Sequence, residues 1–85
     1  MHEFRSDPLG HRRYWPIFAA AERARRPIGL HVQGYSGGHA STGSGWPTYY
    51  MQEHYAMCGN MQATVVSLVF EGVFERFPGL KIVLI

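Results

Sequence analysis

Apolar residues from Tyr14 to Arg25 recur at helical spacing: Tyr14, Phe18 and Ala21 form one stripe, with Ile17 and Ala24 beside it. Arg13, Glu22, Arg23 and Arg26 fall mostly off that stripe, so the pattern predicts an amphipathic helix. Pro16 fits only in the first turn, where a missing N–H is harmless, and Pro27 forces a stop. "PIGLHVQ" then alternates with a period of two. Ile28, Leu30 and Val32 share one face, and Gly29, His31 and Gln33 share the other. The first face suits packing under a helix; the second suits the lining of a cavity.

Gly34 to Pro47 reads as loop. Tyr49 to Met57 predicts a short helix ended by Gly59, with Asn60 capping a second helix, "MQATVVSLVFEGVFERF". That second helix is apolar nearly all round, through Val65, Val66, Leu68, Val69, Phe70, Val73 and Phe74, which predicts burial on more than one side. Gly72 within it is expected to admit a close neighbour. "PGL" turns the chain into a second strand, "KIVLI". Two strands joined through a helix must run parallel. Parallel strands belong to larger α/β sheets or barrels covered on both faces. The expected fold class is therefore α/β. Because "LKIVLI" ends inside an apolar run, residues 1–85 are expected to be one segment of something larger.

Length and composition narrow this further. Eighty-five residues allow one domain at most, and the single cysteine, Cys58, excludes an intrachain disulfide. There is no signal segment at the start and no apolar run of membrane-spanning length. A cytoplasmic protein without a membrane partner is expected. The net charge is +2, and much of the excess sits at Arg12, Arg13, Arg23, Arg25 and Arg26. Arginine clusters can contact phosphates, but a solvated helix face is the better account here, with Glu22 and Arg26 at i,i+4 able to pair along it. No nucleic-acid partner is expected. Two parallel strands with open edges and a helix apolar on most sides predict that the chain alone is poorly stable or associates with itself as a homo-oligomer.

The loop "GYSGGHASTGSGW" raises the question of chemistry. It has neither the lysine of a phosphate-binding loop nor the G-x-G-x-x-G fingerprint of dinucleotide sites. A long loop after a strand more often borders a site. His31 lies near the C-terminal end of its strand, where imidazole suits zinc and similar ions. From spacing alone, a buried, hydrogen-bonded core histidine is the stronger account. His39 in the loop could approach the same place. His54 and Cys58 stand at i,i+4, a ligand-compatible spacing, although such residues are commonly just packed or solvated. Trp46, Tyr49 and Tyr50 either anchor the loop or wall a substrate pocket, to which His54 is added as a candidate. His2 and His11 read as surface residues.

Several stretches resemble the amidohydrolase-related family, whose members include metal-dependent hydrolases and aminocarboxymuconate-semialdehyde-type decarboxylases. "YWPIFAAAERARRPIGLHV" is similar to its helix leading into a strand with a metal-ligand histidine. "GWPTYYMQEH" and "SLVFEGVFERFPGLKIVLI" resemble the next unit and the strand after it, and "GVFERFPGLK" is the most specific match. The likeness runs from about Asp7 onward. It implies a slice of a (β/α)8 TIM barrel, an architecture of about 250 residues, with parallel strands and covering helices. It also implies His31 as a metal ligand, a divalent ion such as Zn, and a small-molecule substrate attacked by metal-activated water. The family's early H-x-H pair and later Asp are absent from these residues. Non-oxidative decarboxylation uses the same apparatus and stays open, as does a non-catalytic truncated fragment.

Overall fold

The computed structural model describes residues 7–31 and 45–85. A 3-10 turn at Arg12–Tyr14 leads into α1 (Trp15–Arg23), β1 (Ile28–Leu30), the long α2 (Tyr50–Phe70), the single turn α3 (Val73–Arg76) and β2 (Ile82–Leu84). β1 and β2 pair in parallel, with Ile28 opposite Ile82, Gly29 opposite Val83 and Leu30 opposite Leu84. The Ile28 N–H donates to Lys81 O and the Ile85 N–H to Leu30 O, each at 2.9 Å. The expected α/β character and parallel pairing are present, and the described residues amount to part of such a fold.

Alternation along β1 matches expectation where it can be followed. Leu30 is buried and Ile28 half-buried on the helix side, while Gly29 and His31 are exposed on the other. Val32, Gln33, His39 and most of the expected loop lie outside the described residues. Leu9, Phe18, Leu30, Leu68, Val73, Phe77 and Leu80 form the core, and Tyr14, Trp15, Ile28, Met61 and Ile82 pack around it. Phe18, Leu68 and Val73 are the most deeply enclosed.

Pro16 does sit in the first turn of α1. The helix stops before Pro27 acts. The Arg26 N–H donates to Ala21 O and the Arg25 N–H to Glu22 O, both at 3.0 Å, which closes a Schellman motif. Its left-handed position is held by Arg25 at φ 52°, not by glycine. Glu22 does not serve simply as a surface partner for Arg26. Its Oε2 accepts the Gly79 N–H at 2.8 Å and so ties the end of α1 to the turn before β2.

The two expected helices around Gly59 are one. α2 runs unbroken through Gly59 and Asn60, and Asn60 is not a cap: its carbonyl accepts the Thr64 hydroxyl at 3.0 Å. An exposed mid-helix glycine costs only about 1 kcal/mol relative to alanine, and strong helix formers flank it (Met57, Met61, Gln62 and Ala63). The expected burial on more than one side is not seen along α2. Thr64 and Leu68 are buried, whereas Val66, Val69 and Phe70 are exposed.

Gly72 has a different role from the close approach expected of it. A Cβ there would meet nothing within 4 Å, but φ is +77°, so Gly72 ends α2 in the left-handed conformation and starts α3. The close approach belongs to Gly10. A Cβ on Gly10 would collide with the Ser67 carbonyl oxygen, so the N-terminal turn rests directly on the α2 backbone. The Gly10 N–H donates to Ser67 Oγ at 3.2 Å, and that hydroxyl donates to Thr64 O at 2.7 Å. Trp15 Nε1 donates to Gly10 O at 2.9 Å. This turn also buries Leu9, in a segment whose sequence reads as polar and mixed.

Two stability outcomes follow from this backbone. Gly10→Ala should destabilise by about 3 kcal/mol, the upper range for overpacking, because the obstacle is main chain and cannot rotate away. Arg25→Gly should stabilise by about 1 kcal/mol through relief of the left-handed penalty, and Gly72→Ala should cost about the same. Urea-denaturation midpoints of the three variants check both. Equal midpoints for Gly10→Ala and the parent would refute the close approach.

Candidate functional site

The sheet has two unlike faces. Ile28, Leu30 and Ile82 face the helices. The alternate positions, Gly29, His31, Val83 and Ile85, face away from them and are exposed. Gly29 keeps this face flat, since a Cβ there would stand 3.3 Å from Ile85 Cδ1. Extending the register by one residue sets His31 beside Ile85, whose N–H already bonds Leu30 O. His31 thus stands just past the C-terminal end of β1, on the face away from the helices. It is exposed, so the account of it as a buried core residue does not hold.

The other candidates gather at the start of α2. Trp46, Tyr49 and Tyr50 are 69%, 72% and 77% exposed. Tyr50 and His54 stack with ring centroids 6.1 Å apart, and Tyr55 meets His54 edge-on at 6.3 Å. Helical periodicity explains this. Tyr50 and His54 are one turn apart, so their rings lie over one another on the helix surface.

One turn further on, Cys58 is exposed. It lines an open apolar hollow of about 460 Å³ between α2 and the end of β2, together with Met61, Gln62, Val65, Val66 and Leu84. The i,i+4 spacing of His54 and Cys58 gives no hint of Met61 in this hollow. The overlooked signal was the i,i+3 spacing, which puts Met61 on the same side of α2 as Cys58. Among the described residues no three His, Cys, Asp or Glu side chains come together.

Arg12 and Arg13, just before α1, have local partners. Arg13 donates to Asp7 at 2.9 Å, and that hydrogen bond, helped by the charges of Tyr14 and Asp7, holds its pKa above the usual guanidinium value. Arg12 and Arg13 also lie over the rings of Trp15 and Tyr14, each at 5.5 Å. No helix among the described residues is long and apolar enough to cross a membrane.

No curated protein matches the chain. A protein-family model described as amidohydrolase matches residues 2–85, which is all but one residue of the sequence. With parallel βα structure already in place and a histidine at a strand's C-terminal end, the chain belongs to the amidohydrolase family.

Proposed function

We propose that these residues form part of a metal-dependent hydrolase of (β/α)8 architecture that acts on a small molecule through metal-activated water. One observation carries this reading: His31 stands at the C-terminal end of β1 on the face away from the covering helices, in a chain of the amidohydrolase family. Reactive groups of such barrels gather at that end of the strands. Within the family, a place beside the aminocarboxymuconate-semialdehyde-decarboxylase-like members is part of this proposal, with metal-dependent non-oxidative decarboxylation as the alternative reaction. The location proposed is cytoplasmic.

The family generally uses divalent metals. The donor chemistry of His31 fits such an ion, Zn in this proposal, because imidazole nitrogen is a common ligand for it. The described residues supply that one ligand at this face and do not complete a set among themselves. When bound, the ion would lower the pKa of a water and polarise the group under attack. The chain's own contribution is positional. β1 fixes the height of His31, and Gly29 keeps the neighbouring surface clear. Trp46, Tyr49, Tyr50 and His54 offer ring faces against which a substrate can pack.

His31→Ala separates a ligand from a structural residue. In the full-length barrel protein proposed here, it should remove most bound metal and nearly all activity, and change stability by under about 1 kcal/mol, as expected for an exposed side chain. Metal analysis and a denaturation curve on the same variant provide the readings. Full metal occupancy with a marked loss of stability would overturn the assignment. Product analysis of the parent distinguishes hydrolysis from release of carbon dioxide.

We also propose that the 85-residue chain associates with itself. Each strand of the two-stranded sheet has an unpaired edge among the described residues, and Val69, Phe70, Val83 and Ile85 are exposed. Light scattering after size exclusion should give a mass above 9.6 kDa that rises with concentration. A single monomeric peak with a cooperative melt would reject this.

A further inference from the structure

The outer side of α2 carries a second periodicity besides the one that builds the core. Met51, Tyr55, Cys58, Gln62, Val65 and Val69 follow one another at alternating spacings of four and three. That is the pattern of a helix that pairs with another helix. Tyr55, Gln62 and Val69 take the a positions of a heptad, and Met51, Cys58 and Val65 the d positions. At 100° per residue the six fall within about 80° of arc, roughly a third of a turn round from the buried Thr64 and Leu68. Met51, Tyr55 and Val69 are 60%, 69% and 57% exposed, and Cys58 and Gln62 are exposed too.

The hollow at the middle of this stripe fits the same pattern. Cys58, Met61, Gln62 and Val65 stand at i, i+3, i+4 and i+7, the four-residue hole that receives a knob from a facing helix, and Val66 and Leu84 complete its rim. In a parallel, in-register pair of two copies, the knob that enters is the partner subunit's Gln62. The two amides then meet, each with a donor and an acceptor for the other. An antiparallel pair would leave each amide against apolar or weakly polar groups, which is costly. Charge also favours a second copy. A surface helix normally sets charges opposite its core, yet the 21 residues of α2 contain one carboxylate, Glu53, and no lysine or arginine. A stripe paired with itself repels if it is charged. Glu53 falls at f, the position turned furthest from a partner, so no like charges face one another. Pairing would bury on the order of 1,000 Å² over both copies, the size at which a specific interface becomes stable. Packing on the body of the protein has already formed the helix, so pairing carries no nucleation cost.

We propose that α2 is the contact between two copies of this chain, paired parallel and in register through the stripe over 51–69, with the Gln62 amides facing one another at its centre. The proposal rests on the self-association put forward above and assigns it to α2, not to the open edges of the sheet.

The test is the mass of the purified, reduced chain by light scattering over a concentration series, with helix and sheet variants side by side. The parent should approach twice its 9.6 kDa. Tyr55→Lys combined with Val69→Lys sets like charges against one another at two a positions and should weaken pairing by about 100-fold. Val83→Lys, which protects the sheet edge, should pair as the parent does. If Val83→Lys is monomeric and the helix variant still pairs, the contact lies on the sheet: this proposal fails while self-association stands. A parent that stays monomeric ends both. Oxidation of the parent by diamide gives a reading independent of any variant's folding. In the parallel, in-register pair the two Cys58 thiols share one d layer. Diamide takes up their two electrons and two protons, and a disulfide-linked dimer should form rapidly. Linking no faster than in the urea-unfolded chain at the same concentration overturns the proposal.

Discussion

The ring of Phe77 is the contact on which the arrangement depends. It meets Trp15 edge-on at 5.6 Å and lies 6.3 Å from Phe18, so α1 is held by the residue that ends α3. Its N–H donates to Val73 O at 2.8 Å and its carbonyl accepts the Leu80 N–H at 3.0 Å. One residue thus closes the last helical turn, shapes the turn into β2 and anchors both to α1. The Glu22 bond to Gly79 fastens the same junction from the outside. Aromatic pairs of this geometry contribute about 0.5–1.5 kcal/mol beyond the area they bury. Their larger consequence is register, because the path from Phe77 to Ile82 places β2 against β1.

Register in turn decides what the open face of the sheet presents. With Leu30 opposite Leu84, the aliphatic positions of both strands turn to the helices and the set containing His31 turns away. A slip of one residue would exchange the faces and bury the imidazole. The same packing that encloses Phe18, Leu68 and Val73 therefore positions a polar group at the strand end.

α2 is longer than the surface that covers it. Thr64 and Leu68 are buried, and the Gly10 turn rests on the backbone at Ser67. Toward its N-terminus the helix projects aromatic rings, an imidazole and a thiol into the open. Packing constrains the residues of the second half, and the first half is largely exposed.

Much of the order of elements was legible in the residues. The stripe of Tyr14, Phe18 and Ala21 buries Phe18, the alternation of Ile28 to Leu30 buries Leu30, and the apolar run at Ile82 leaves that residue half-buried, so local periodicity marks each element. Parallel pairing also followed, since a helix between two strands leaves no other connection. The sequence by itself also put His31 on the sheet face opposite Leu30, through its parity in β1. Other features depended on contacts between distant residues. Gly59 looked like a stop, but helix on both sides of it outweighs one exposed glycine. Gly72 and Gly10 look alike in sequence, yet one relieves a left-handed φ and the other admits a carbonyl oxygen, and only the approach of residue 10 to residue 67 tells them apart. The union of Cys58, Met61 and Leu84 around one hollow was likewise decided by tertiary structure, because a strand more than twenty residues away supplies its far wall.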